Sequence, residues 1–126
     1  MTETSELSSL DFQERISTAT DIIRKLAPTL DERNVKGIMG FGSFWRPDNK
    51  RSPRDIDLAI YALNDAELDD EKDLITIPLS KQLHLPVEIH PLSPYTPMIK
   101  HQMEDYRVYL KNGVLLWGEM PSWLQK

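Results

Sequence analysis

The chain of 126 residues contains no cysteine. Disulfide bridges and thiolate metal sites are therefore excluded, and the redox compartment cannot be read from cysteine usage. The chain also lacks any apolar run near the roughly 20 residues that a membrane span needs, and its N-terminus lacks a signal-peptide pattern. From these absences we expect a cytoplasmic protein that is not associated with a membrane.

Basic residues are too few for a general polyanion binder. The chain has 15 Lys and Arg against 20 Asp and Glu, which gives a formal net charge of −5. Domains that bind nucleic acid non-specifically are usually basic, so we expect no such binding. A nucleotide substrate remains compatible, because a metal ion and a few local basic groups can meet its charge. The length predicts a single domain over residues 1–126, with a flexible segment at residues 1–7.

Residues 35–62 contain the most informative pattern. An apolar run with glycines leads through a polar loop into Asp55-Ile56-Asp57-Leu58-Ala59-Ile60-Tyr61. This alternation predicts a strand whose apolar face packs on a core and whose other face carries Asp55 and Asp57. Two carboxylates about 6 Å apart repel by about 3 kcal/mol at an effective dielectric near 20. A divalent cation would offset that repulsion, and Mg²⁺ prefers carboxylate and phosphate oxygens.

Gly42-Ser43 follows the apolar run and predicts a phosphate site. A glycine lets the backbone approach a ligand closely, and a helical turn over residues 43–46 would direct free N–H groups at an anion. The Ser43 hydroxyl could reach a phosphate or a metal-bound water. The following loop carries several basic candidates for phosphate contacts, which are Arg46, Lys50, Arg51 and Arg54. Trp45 could stack on a base, although a tryptophan beside Phe44 is more often a packing residue.

Gly42-Ser43, eleven intervening residues and Asp55-Ile56-Asp57-Leu58 together resemble the signature of the polymerase-β-like nucleotidyltransferase superfamily. The small size and the later segment at residues 109–118 resemble its minimal branch, the MntA-like antitoxin proteins. The resemblance extends over residues 35–118. It implies an α+β fold, a small mixed β-sheet with helices packed mainly on one side.

The resemblance also implies a site and a reaction. Asp55, Asp57 and Glu88 would be catalytic and would hold two Mg²⁺ ions, while Gly42, Ser43 and Arg46 would bind the nucleotide. Glu88 stands where the family usually has aspartate. The reaction would move a nucleoside monophosphate, AMP from ATP, to a hydroxyl of a partner protein. In this branch the partner is commonly a HEPN-family toxin, which is modified on tyrosine.

A second hypothesis makes the protein a catalytically weak binding module that neutralises its partner by complex formation alone. It depends on Glu88, on Pro47 where the family often has glycine, and on Arg54, which could form a salt bridge with the acid pair. A third hypothesis is an α+β domain with no nucleotide role. Mg²⁺-dependent nucleotide binding would separate the first hypothesis from the second.

Periodicity predicts the remaining elements. Helices are expected over residues 11–27 and 96–110, and strands over residues 35–41, 85–90 and 114–118. Residues 64–73 are interpreted as an acidic loop with at most the start of a helix, and a short helix is expected to begin near Pro78. A left-handed cap at Asn112-Gly113 would end the last helix. His90 is interpreted as an exposed or hydrogen-bonded residue in preference to a ligand. The apolar tail over residues 120–124 could cover either a partner or the protein's own core, and the sequence does not distinguish the two.

Overall fold

The structure is a computed structural model that describes residues 9–46, 53–94, 110 and 112–124, with side chains from residue 12 onward. In chain order its elements are α1 (Ser9–Leu26), a 3₁₀ turn (Ala27–Thr29), β1 (Val35–Phe41), β2 (Ile56–Ala62), α2 (Asp65–Glu71), α3 (Asp73–Leu83), β3 (Val87–Leu92), β4 (Val114–Gly118) and a second 3₁₀ turn (Ser122–Leu124). The four strands form one sheet in the order β3-β2-β1-β4. β1 is antiparallel to both β2 and β4, and β2 is parallel to β3. The predicted α+β fold with a mixed sheet is confirmed.

One face of the sheet packs against α1 and α3. Alternate residues of β1 and β2 are buried there together with helix residues, in a cluster that includes Ile23, Ile38, Ile56, Leu58, Ile60, Ile75 and Leu79. Burying each such aliphatic side chain contributes about 1.5–3 kcal/mol. The period-two alternation of the sequence therefore identified the correct core face of β2.

The opposite face of the sheet carries a smaller apolar cluster, formed by Met39, Phe41, Ala59, Leu92, Leu110, Met120 and Leu124. The C-terminal tail thus covers the protein's own sheet, which settles the role that its sequence left open. Trp123 fixes the tail by donating its indole N–H to the carbonyl oxygen of Ser93, at 2.9 Å. The acidic side of β2 belongs to this same face, because Asp57 is two residues before Ala59.

The prediction of an acidic loop over residues 64–73 is wrong, because α2 begins at Asp65. The Asn64 side chain accepts hydrogen bonds from the backbone N–H groups of Ala66 and Glu67. Asparagine is among the best N-cap residues, and acidic residues are favourable in a first turn. Leu68 anchors the helix by burying its side chain.

The prediction of a helix that begins near Pro78 is also wrong. α3 begins at Asp73, and Pro78 lies in its interior. Proline in a helix interior loses one backbone hydrogen bond and costs about 3 kcal/mol. Ile75 and Leu79 bury fully against the main core, so packing on both sides of the proline offsets that cost.

The left-handed cap predicted at Asn112-Gly113 is not found. The residues with positive φ in the described part of the chain are Gly42, His84 and Gly118. At Gly113 a side chain is excluded for steric reasons, because an added Cβ would lie 2.7 Å from the carbonyl oxygen of Gly40. Except for Leu110, which is helical and buried, the helix predicted over residues 96–110 lies outside the described residues.

None of the helices in the described ranges combines the length and the apolar character needed to cross a membrane.

Candidate active site

The pairing of β2 with β3 brings the acidic residues of two separate segments together. In this parallel register Asp57 is the partner of Glu88, and Ala59 is the partner of His90. On the other side of β2, Asp57 is paired with Phe41, the last residue of β1. The acidic face therefore lies at the strand end from which the Gly42-Ser43 turn departs.

Three side chains converge at this point. The Nε2 atom of His90 lies 3.4 Å from Oδ1 of Asp57 and 3.6 Å from Oε1 of Glu88. One potential ligand atom from each residue falls within 4.8 Å of the other two. Asp57 is 18% exposed, His90 27% and Glu88 61%, so the group is open to solvent on the Glu88 side.

Asp55 lies outside this group of three and affects it electrostatically. Burial raises the pKa of Asp57 above its ordinary value of 3.8, and the negative charge of Asp55 raises that pKa further. The hydrogen bond and the charge of His90 act in the opposite direction on the pKa of Asp57. A carboxylate that is desolvated and flanked by like charge favours any arrangement that brings positive charge to it.

The donor set suits a divalent cation. Two carboxylate oxygens and an imidazole nitrogen are common ligands of such ions, and they face one another across two adjacent strands. Asp57, Glu88 and His90 could therefore hold an ion, with Asp55 supplying additional negative charge. The structure thus brings together two of the three predicted acids and places the third beside them.

The Gly42-Ser43 turn has the form that the sequence predicted. The carbonyl oxygen of Gly42 accepts hydrogen bonds from the N–H groups of Trp45 and Arg46, at 3.2 and 3.3 Å, which closes one helical turn. Gly42 has a φ of 87°, a conformation that favours glycine. Ser43 and Arg46 are exposed, so both can be reached by a ligand.

Trp45 is a packing residue and not an exposed stacking platform. Its side chain is 4% exposed and its ring covers Gly40, where an added Cβ would lie 2.4 Å from the ring atom Cε2. The indole N–H donates to the carbonyl oxygen of Asp57, at 3.0 Å. Of the two interpretations that the sequence allowed, packing is confirmed.

His90 lies within hydrogen-bond distance of Asp57, at 3.4 Å, which agrees with the prediction of a hydrogen-bonded residue, but the sequence did not predict its place beside both acids. Its two-residue spacing from Glu88 placed both on one strand face, but the spacing alone did not bring Asp57 beside them. Its ring also packs edge-on against Phe41, with 4.8 Å between the ring centroids. Among the ion pairs of the described residues, none joins Arg54 to Asp55 or Asp57, so the suggested salt bridge is not found.

Comparisons with known proteins indicate the family and the fold. A family model described as a nucleotidyltransferase domain matches residues 23–110. No curated protein sequence gives a significant match. A crystal structure of a toxin–antitoxin with AMP-PNP is 20% identical, with a TM-score of 0.51 over 80% of this chain and 74% of that chain. A crystal structure of a mutant toxin–antitoxin MntA-HpeT is 17% identical, with a TM-score of 0.48 over 83% of this chain and 74% of that chain.

At 20% identity the likeness to the toxin–antitoxin structure with AMP-PNP shows a shared fold alone, and the family assignment rests on the family model. That model covers well over half of the chain. The chain therefore belongs to the nucleotidyltransferase domain family, as its resemblance to polymerase-β-like nucleotidyltransferases predicted.

Proposed function

We propose that the protein is a metal-dependent nucleotidyltransferase that transfers AMP from ATP to a hydroxyl group of a partner protein. The observation that carries the proposal is the convergence of Asp57, Glu88 and His90 at the strand end that leads into the Gly42-Ser43 turn. Membership of the family supports the class of reaction. In this reaction the acceptor oxygen forms a bond to the α-phosphorus, and the bond from that phosphorus to pyrophosphate breaks.

The acidic residues would act as the metal-holding part of the site. We assign Asp55 and Asp57 to two Mg²⁺ ions and Glu88 to the second of them. When bound, Mg²⁺ supplies positive charge to the phosphate oxygens and to the attacking hydroxyl. Glu88 is the most exposed of the three donors at 61%, so an acceptor that arrives from solvent meets it first, and its free oxygen can accept the hydroxyl proton.

The turn would hold the nucleotide. Backbone N–H groups at the start of a helical turn favour an anion, and Gly42 permits close approach of the phosphate. The Ser43 hydroxyl and the exposed Arg46 guanidinium would add two contacts to the triphosphate. Because β1 runs directly into this turn and is paired with β2, the phosphate and the acids are held at a fixed relative position. Such orientation converts binding energy into rate.

The partner is proposed to be a toxin of the HEPN family, modified on a tyrosine hydroxyl, which would make this protein the antitoxin. The resemblance to the MntA-like branch is the source of this proposal. The likeness in fold to a toxin–antitoxin with AMP-PNP supports it, and it also supports an adenine nucleotide as the donor.

Intact-mass spectrometry tests the proposal. The protein is incubated with ATP, Mg²⁺ and the protein encoded beside it, and the partner is then weighed. We expect the partner to gain the mass of AMP, and Asp57→Asn to abolish that gain. Asp70→Asn, which removes an exposed carboxylate from α2, should transfer as the wild type does. Wild-type transfer by Asp57→Asn would contradict the assignment.

A stable complex without any gain in mass would favour the binding module. Calorimetry then provides the second measurement. Tight ATP binding that requires Mg²⁺ supports the enzyme, whereas partner binding by a chain with no affinity for ATP supports neutralisation by complex formation.

A further inference from the structure

His90 adds a nitrogen donor to a group of oxygen ligands, which changes the kind of metal that the group would prefer. We propose that the site formed by Asp57, Glu88 and His90 binds a divalent first-row transition-metal ion, such as Mn²⁺ or Co²⁺, more tightly than Mg²⁺, with Nε2 of His90 as a direct ligand. The inference rests on the proposed function only in placing the metal at the same acids. It goes further by assigning a residue and a metal preference.

The first argument for a bound ion is the distance from Nε2 of His90 to each carboxylate oxygen. Nε2 of His90 lies 3.4 Å from the Asp57 oxygen and 3.6 Å from the Glu88 oxygen. Both distances exceed the roughly 2.7–2.9 Å of a charge-assisted hydrogen bond. Ligands placed about 2.0–2.2 Å from an ion in a tetrahedral arrangement lie about 3.3–3.6 Å from one another. The two separations at Nε2 therefore match those of donors that surround an ion, and the two carboxylate oxygens lie within 4.8 Å of each other.

The second argument is that His90 has too few hydrogens at Nε2 for the two carboxylates that face it. Nε2 of His90 faces two carboxylates, yet an imidazole nitrogen carries at most one hydrogen. One N–H cannot satisfy both oxygens at full strength. A cation between the three atoms satisfies all of them at once, because each contributes a lone pair.

The third argument is that the donor atoms are held in place before an ion binds. His90 and Glu88 project from the same strand, and that strand is hydrogen-bonded to the one that carries Asp57. The buried Phe41 ring packs edge-on against the imidazole. Donor atoms fixed by strands and packing need little reorganisation when an ion binds.

The chemistry of the nitrogen donor sets the preference. Mg²⁺ binds almost entirely through oxygen and dehydrates reluctantly. Imidazole is a good ligand for the later first-row ions, and affinity at a mixed nitrogen and oxygen site rises along that series. A site of three oxygens would follow the same series less steeply, so His90 should enlarge the preference.

Cobalt titration of the tag-free chain, without nucleotide, tests the inference. Co²⁺ is the probe, because its visible absorption responds to the coordination number and to the ligand field, which a nitrogen donor strengthens, and Mg²⁺ is then added as competitor. We expect His90→Gln, which replaces the imidazole nitrogen with an amide oxygen, to weaken Co²⁺ binding by about tenfold or more, since losses of at least that size follow even the loss of residues that only support a ligand. Its affinity for Mg²⁺ should change much less.

His84→Asn is the matched control, because it also removes an imidazole but lies outside the group of three. His84 has a left-handed backbone, with a φ of 57°, and asparagine tolerates that conformation. This variant should keep the Co²⁺ spectrum and affinity of the wild type.

Two outcomes would overturn the inference. One is a His90→Gln protein with the Co²⁺ affinity and spectrum of the wild type, and the other is an equal loss of affinity for Co²⁺ and Mg²⁺. Either outcome leaves the proposed function to be judged by AMP transfer to the partner. Failure of AMP transfer with an intact Co²⁺ site would conversely remove the function and keep the metal assignment.

Discussion

The indole N–H of Trp45 donates a hydrogen bond to the backbone carbonyl oxygen of Asp57, with 3.0 Å between the two atoms. The bond connects the turn that begins at Gly42 to the strand that carries the central carboxylate of the site. Trp45 is almost fully buried at 4% exposure, so the bond is protected from water. This buried side chain thus supports the position of the turn relative to the carboxylate, in addition to the pairing of Phe41 with Asp57.

Trp45→Phe should lower both stability and metal affinity. The variant keeps an aromatic ring but leaves the Asp57 carbonyl oxygen without its donor, which costs about 1–3 kcal/mol of unfolding free energy. Urea denaturation followed by circular dichroism measures the loss, and Co²⁺ titration measures the effect on the site. Trp123→Phe is the control, since it removes a comparable bond to Ser93 within the tail. Wild-type metal affinity in Trp45→Phe would show that this bond does not position Asp57.

Gly40→Ala should destabilise the protein through the same tryptophan. The added Cβ would lie 2.4 Å from Cε2 of Trp45, so the ring must move or the strand must bend. Overpacking of this kind costs about 1–3 kcal/mol. The cost should be smaller in a Trp45→Ala background, because the clashing ring is absent, and a double-mutant cycle of unfolding free energies measures the difference. An equal loss of unfolding free energy in both backgrounds would show that the Trp45 ring does not limit the space at Gly40.

Local pattern was sufficient to predict much of the sheet. The alternation in β2 predicted that Ile56, Leu58 and Ile60 face the core, and all three are fully buried. The strand β1 and the Gly42-Ser43 turn were likewise predicted from residues adjacent in sequence. Each of these features depends on interactions within a few residues, which is the range that periodicity reports.

Two of the features that were missed depend on tertiary contacts. The proximity of His90 to Asp57 follows from the parallel pairing of β2 with β3, and a slip of one residue in that pairing would have placed His90 elsewhere. α3 contains Pro78 because helix packing offsets an unfavourable local residue. The sequence indicates the helix propensity of each residue, but it does not indicate how strongly tertiary packing overrides that propensity.

Asn34→Ala should be more destabilising than Asn64→Ala. Asn34 is 2% exposed, and its side chain exchanges two hydrogen bonds with the backbone of Asn64, at 3.0 and 2.6 Å. Its removal leaves the Asn64 N–H without this partner, at about 1–3 kcal/mol, while the Asn64 carbonyl oxygen keeps its hydrogen bond from the N–H of Leu68. Asn64→Ala keeps the backbone groups in place and loses the cap of α2, which is worth about 1 kcal/mol. Chemical denaturation of both variants checks the order, and the reverse order would contradict it.

Asp57→Asn should stabilise the protein when metal is chelated, and its advantage should depend on pH. Burial and the charge of Asp55 raise the pKa of Asp57 above 3.8 in the folded state. The folded state therefore binds more protons than the unfolded state between these two pKa values, and the unfolding free energy falls as the pH rises through that window.

The amide that replaces the Asp57 carboxyl does not ionise, so the unfolding free energy of the variant lacks this decrease with rising pH. With EDTA present, we expect the difference in Tm between Asp57→Asn and the wild type to be larger at about pH 7 than at about pH 3, where the aspartate is protonated in both states. Adding a divalent metal at pH 7 should raise the Tm of the wild type alone, because binding to the folded state adds stability by mass action. Asp70→Asn, in the exposed acidic helix, supplies the control, and a pH dependence equal to that of Asp57→Asn would mean that general charge reduction, and not the environment of Asp57, causes the effect.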